Sequence, residues 1–117
     1  MNCNGRHDFT ICQGATLIKT FAFRQEDQTT PIDLTGYTAR MQAREYVESD
    51  TVLIELTTEN GGISINGPLG TVTLNLSATD TAAIEWDVAR YDLELIDGAT
   101  VYRPLTGKLK VSPEVTR

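Results

Sequence analysis

Cysteine, histidine and tryptophan are scarce in this chain of 117 residues, with two, one and one respectively. Two cysteines, Cys3 and Cys12, are too few for the disulfide framework of a small secreted domain. The opening stretch MNCNGRHDF has no apolar core of the kind a secretory signal carries. A reducing cytosol is therefore the expected place of synthesis, and both thiols are expected to stay free. Cys12 falls in a candidate strand and reads as a small buried hydrophobe. With His7 as the lone histidine, a Cys3–His7–Cys12 zinc site would have three ligands and no paired ligand spacing, so no metal is expected. A Ser–His–Asp triad would need the same His7, and no G-x-S-x-G turn presents a serine. The glycines of N-G-G-I and N-G-P-L-G lack the G-x-x-x-x-G-K-[ST] spacing of a phosphate loop and read as turns. No apolar run approaches the ~20 residues of a bilayer span. Cations are the minority charge, 10 Lys and Arg against 16 Asp and Glu, for a net charge of −6. That field opposes association with polyanionic nucleic acid. Neither nucleic acid nor a membrane is an expected partner, and no cofactor is implied.

What the chain does have is alternation. A hydrophobic fraction of 40% suits a globular protein, and the length suits one domain, residues 1–117, with a single core. Apolar and polar residues alternate with period two over His7–Gln13, Leu17–Arg24, Tyr37–Arg44, Val52–Leu56, Ile63–Ile65, Val72–Leu76 and Tyr91–Leu95. A last strand runs through Val101 and Tyr102 to Val111. Pro31, Gly36, Asn60-Gly61-Gly62, N-G-P-L-G and Asp97-Gly98 punctuate these runs as turns. Seven or eight short strands at this spacing predict an antiparallel β-sandwich. In the final hairpin, a short Asp97-Gly98 loop would place Asp92 opposite Arg103, and a longer loop would place Glu94 there. Pro104 has no N–H and marks a bulge or an edge. The termini, residues 1–6 and 112–117, are unpatterned and read as docking arms or loose ends, with Phe9 and Val115 as apolar anchors.

Ser77–Glu85 is the one stretch with helical character. Ser77, Thr79 and Asp80 are N-cap residues, and Asp80 suits the positive end of a helix dipole. The expected structure is one short helical turn near residues 78–84 that crosses from one sheet to the other. Ile84 and Trp86 would plug the end of the sandwich, and Tyr91 would tie the crossing chain as a tyrosine corner. The competing reading makes Asp80, Glu85 and Asp87 a general acid and base, though their spacing does not demand it. Arg40 and Arg44 share one strand face with Gln42, either as an anion or partner contact or as an ordinary solvated face.

Several segments are similar to those of small virion proteins of tailed bacteriophages. They are P-I-D-L-T-G-Y-T-A-R-M-Q-A-R at 31–44, T-T-E-N-G-G-I at 57–63, S-A-T-D-T-A-A at 77–83, Y-D-L-E-L at 91–95 and V-S-P-E-V-T-R at 111–117. The architecture also resembles the immunoglobulin-like N-terminal domain of phage upper-baseplate proteins. In those proteins a sandwich domain anchors a fibre or receptor-binding part. This sequence has no coiled coil or fibre segment after the sandwich. The resemblance therefore implies a non-enzymatic adaptor or packing subunit of tail, baseplate, neck or capsid surface. Its implied partners are other virion proteins, as a homo-oligomer or symmetric array, and its place is the virion after assembly in the host cytoplasm. The alternative reading is a carbohydrate-binding module for host adsorption, with Tyr37, Tyr46, Tyr102 and Trp86 as the candidate platforms.

Overall fold

The computed structural model describes Met1 and residues 3–117. Nine strands and one helical turn form among them: β1 (Gly5–Arg6), β2 (Phe9–Cys12), β3 (Leu17–Ala22), β4 (Thr38–Arg44), β5 (Ile54–Thr57), β6 (Ile63–Asn66), β7 (Thr71–Leu76), α1 (Ala78–Ala82), β8 (Val88–Asp97) and β9 (Thr100–Ser112). The short strands β1 and β2 lie along the same side of β9 and act as one interrupted path, which leaves eight paths. The larger sheet runs β9-β8-β4-β5, with β1 and β2 completing it beyond β9. The smaller sheet is β3-β7-β6. The orders β3-β7-β6 and β9-β8-β4-β5 match the B-E-D and G-F-C-C′ orders of immunoglobulin domains, so the sandwich is immunoglobulin-like.

Alternation places the core. Ala39, Met41 and Ala43 of β4 point inward with Ala89, Tyr91, Leu93 and Leu95 of β8. They meet Val72, Leu74 and Leu76 of β7, all buried. Leu34 is fully buried although it lies between strands. The Asp33 carboxylate accepts the Thr35 N–H at 2.9 Å, and Gly36 takes φ +84°. This compact turn in the PIDLTGY segment aims Leu34 into the core.

The sandwich is not wholly antiparallel. Phe9–Cys12 pairs in parallel with Leu109–Ser112, and Gly5–Arg6 in parallel with Leu105–Thr106. After β2, a tight turn with Gly14 at φ +84° sends the chain into the smaller sheet. The first strand is thus left beside β9 instead of β3. Pairing also decides Cys12. Ile11 is buried and Cys12 is exposed, because the inward positions of β2 are Phe9 and Ile11. The expectation of a buried Cys12 fails by one residue of alternation. Both cysteines are free.

In the β8–β9 hairpin Asp97 pairs with Thr100 and Leu95 with Tyr102, but Leu93 pairs with Leu105. Arg103 and Pro104 together therefore oppose Glu94, so the bulge falls at the proline, where no ladder N–H is available. The crossing from β7 to β8 is the expected helical turn. Ser77 is its N-cap and accepts the Asp80 N–H at 3.1 Å.

Candidate functional site

One concavity lies on the outer face of the larger sheet. It is a trough of about 480 Å³ floored by Arg40, Gln42, Arg44, Glu55, Arg90, Asp92, Glu94, Arg103 and Thr106, with Val47 at its margin. Period two puts these residues there, because each lies between inward-pointing core residues on its strand. Register then sets their partners. Arg40 is opposite Glu94, Gln42 opposite Asp92, and Arg44 opposite Arg90. Arg90 is in turn opposite Lys108. Arg40 forms an ion pair with Glu94. Arg103 reaches Asp92 at 3.6 Å, and Gln42 donates to Glu55. Partial burial raises the Asp92 carboxyl above its ordinary range, and Glu94 adds to the rise, while Arg103 opposes it.

Arg44 is held in place by neutral groups, donating to the Ser49 carbonyl at 2.7 Å and to the Gln42 side-chain oxygen at 2.9 Å. Arg40 and Arg44 thus share one face as the strand pattern predicts, but only Arg40 has a carboxylate partner. Seven of the ten cationic side chains (Arg6, Arg40, Arg44, Arg90, Arg103, Lys108 and Lys110) belong to this outer face, against the carboxylates of Asp8, Glu55, Asp92 and Glu94. The surplus is positive in a chain of net charge −6.

A groove at one end of the sandwich is lined by Glu45, Tyr46, Glu85, Trp86, Asp87, Val88 and Arg90. It forms because the β4–β5 loop and the entry to β8 lie side by side where Arg44 pairs with Arg90. Trp86 is half-buried against the core and plugs this end together with buried Ile84. Asp80 is not in this groove. It is exposed and borders a separate one with Thr16, Asn60 and Ser77. The three carboxylates of the acid–base reading are therefore divided between two grooves.

The aromatic anchor predicted for the N-terminal arm is built into the fold. Phe9 is half-buried and packs edge-on against Tyr91 at 5.4 Å and Phe21 at 6.3 Å. Gly5–Arg6 and Phe9–Cys12 are sheet residues because β9 offers them a free edge, so Gly5 and Arg6, expected in an arm, belong to the sheet. Val115 does project, at 90% exposure.

Tyr91 does not tie the crossing. Its hydroxyl donates to the His7 carbonyl at 2.6 Å, at the break between β1 and β2. Burial pushes the phenol well above its ordinary range, so it remains a donor. The inward direction of Tyr91 on β8 carries its hydroxyl under the first strand, away from the helical turn. Gly107 is opposite Tyr91, and a Cβ there would stand 2.0 Å from the His7 carbonyl oxygen. The tie at the crossing is Thr81, which is fully buried. Its hydroxyl bonds the Ala15 carbonyl at 2.8 Å and the Ala78 carbonyl at 3.1 Å. Gln13 provides a second link, donating to the Ile84 carbonyl and accepting the Glu114 N–H. Sequence reasoning passed over both residues, since a lone Thr or Gln in a polar stretch shows no periodic signal.

His7 packs edge-on against Phe21 at 5.4 Å. Among the described residues no group of His, Cys, Asp or Glu is placed to hold a metal ion, and no helix is long and apolar enough to cross a membrane.

Exposed apolar side chains stand at several places, Ile18, Leu69, Val101 and Val115 singly and four more toward one end. Tyr46, Val47, Val52 and Val88 are 57%, 79%, 38% and 39% exposed, and all belong to the β4–β5 loop or the start of β8. The fold and these surfaces define an immunoglobulin-like sandwich with a charged sheet face and an apolar patch at one end. No protein-family model matches this chain, and no curated protein matches it.

Proposed function

We propose that this chain is a non-enzymatic structural protein of a tailed-bacteriophage virion. It serves as an adaptor or packing subunit of the tail, baseplate, neck or capsid surface, and binds neighbouring virion proteins there. The observation that carries the binding role is the patch of Tyr46, Val47, Val52 and Val88 beside the cationic end of the larger sheet. Clustered exposed apolar side chains rimmed by charge mark protein interaction surfaces. The phage assignment rests on the resemblance of the five segments quoted above.

Mass spectrometry of separated heads and tails from purified particles, followed by imaging, tests the reading. A fixed, symmetric copy number in one substructure is the expected result. Absence from mature particles would overturn it.

A carbohydrate-binding module is favoured by one observation, that Trp86 and Tyr46 line the same groove as Glu85 and Asp87. Aromatic faces and nearby carboxylates suit the C–H faces and hydroxyls of a sugar. Loss of host-polysaccharide binding in Trp86→Ala, with folding retained, would support that reading. The stacked pair Tyr37–Tyr102, with ring centroids 6.3 Å apart, is half-buried and offers a poorer platform.

A further inference from the structure

The cationic end of the larger sheet adjoins an acidic loop of the same molecule, and among the described residues no salt bridge joins the two. Arg44, Arg90 and Lys108 stand abreast across β4, β8 and β9. Like charges in directly opposed positions repel. Of the carboxylates of this face, Glu94 pairs with Arg40, Asp92 pairs with Arg103 and is also attracted by Arg44, and Glu55 accepts from Gln42. Asp8 accepts the Lys108 backbone N–H at 2.8 Å and is attracted by the Lys108 charge, while its salt bridge is with Arg6. Among the described residues neither Arg90 nor Lys108 forms an ion pair. The adjoining loop carries Glu45 and Glu48, also without ion pairs, around the exposed Tyr46 and Val47.

We propose that a second copy of this chain docks here about a two-fold axis. The Glu45–Glu48 loop of each copy seats on the Arg90–Lys108 row of the other. Opposite charges side by side on one surface are matched by a two-fold operation, because each patch then meets its complement twice. Tyr46 and Val47 form the desolvated centre, and the charges form the rim. A uniform polyanion suits the surface less well, since Asp92 and Glu94 lie in the same trough. This inference rests on the assembly reading and adds the identity of one partner.

Sedimentation and light scattering of the purified chain test it. The expected mass is that of two chains at about 0.01 M salt, falling toward one at about 1 M, as the Debye length shrinks from roughly 30 Å to roughly 3 Å. Arg90→Glu and Glu48→Arg are each expected to weaken the dimer by about tenfold or more. Arg90 and Glu48 are exposed, and circular dichroism verifies that the variants fold. The double variant R90E/E48R is expected to pair with itself again and to reject the wild-type chain, because mixed pairs bring like charges together. A monomer at every concentration in low salt would overturn the proposal. So would growth beyond two chains, or failure of the double variant to recover. If the chain is present in virions yet monomeric, this inference falls and the assembly reading stands. If it dimerises yet is absent from virions, the assembly reading falls instead.

Discussion

The two sheets turn different faces to solvent. The outward positions of β4, β8 and β9 are dominated by Arg, Lys, Asp and Glu. Those of β3, β7 and β6 are Ile18, Thr20, Ala22, Thr71, Thr73, Asn75, Ser64 and Asn66, with no charge among them. Both sheets share one core and one period, so the fold does not dictate this contrast. The larger sheet is held on its outer side by ion pairs, the smaller by a hydroxyl pair, Thr20 to Thr73 at 2.9 Å. Their edges are guarded differently as well. The Asn60 side chain accepts the Thr57 N–H at 2.9 Å and donates to the Glu55 carbonyl at 3.1 Å, standing in for a strand beside β5. β3 instead points Lys19 to the inner face, with its ammonium 5.7 and 5.9 Å from the Phe9 and Phe21 ring centroids. An inward charge on an edge strand discourages further pairing. Sheet chemistry is thus free to differ wherever the core does not constrain it, and the charged face is where solvent conditions act.

Breaking the shared core affects both sheets equally. Leu74→Ala in the smaller sheet and Leu93→Ala in the larger, both fully buried, are each expected to cost about 2–5 kcal/mol in urea unfolding. A large inequality would mean that the sheets do not share one core. Tyr91→Phe touches the larger sheet alone. It leaves the His7 carbonyl without its donor, with an expected loss of about 1–3 kcal/mol and faster amide exchange in residues 5–12.

Acid separates two carboxylates with opposite shifts. Asp27 is held at about 2 by hydrogen bonds from Thr30, chiefly its hydroxyl, and from Thr29. Its stabilisation is present above the unfolded value near 3.8 and is lost as pH falls through about 2. Asp92 is raised, so the folded state holds its proton more tightly than the unfolded chain does. Its contribution has the opposite sign, and stability declines as pH rises through its folded value. Asp27→Asn should flatten the acid limb of stability against pH, and Asp92→Asn should steepen it. Identical limbs in the two variants would contradict these environments.

The smallest effect is the sharpest contrast. A double-mutant cycle on Arg40 and Glu94 should give about 0.2–1 kcal/mol, fading in high salt, whereas the Thr20–Thr73 coupling should ignore salt.

Much of this architecture was legible because period two is local. β4, β7 and the helical turn fall within a residue or two of their expected positions, as does the bulge at Pro104. The hairpin shows the limit. The longer-loop register holds at the tip, where Glu94 faces the Arg103–Pro104 bulge, but Glu94 pairs with Arg40 and leaves Asp92 to Arg103. That choice depends on a third strand, which no hairpin pattern contains. The same reason hid the parallel first strand, the Tyr91–His7 bond and the roles of Thr81 and Gln13, all of which join residues far apart in sequence. The Tyr46–Val47 patch was hidden by brevity, since two apolar residues in a charged loop make no pattern.

Parallel pairing of Phe9–Cys12 with Leu109–Ser112 also governs how the molecule comes into being. Within the sandwich β2 is matched to β9, about a hundred residues later. At a synthesis rate of roughly 5–20 residues per second, Phe9 and Ile11 wait several seconds for their partners. Contacts this distant also slow the final closure. The sandwich therefore becomes complete only after β9 has emerged, and a nascent chain truncated before β9 leaves an apolar strand for chaperones to shelter.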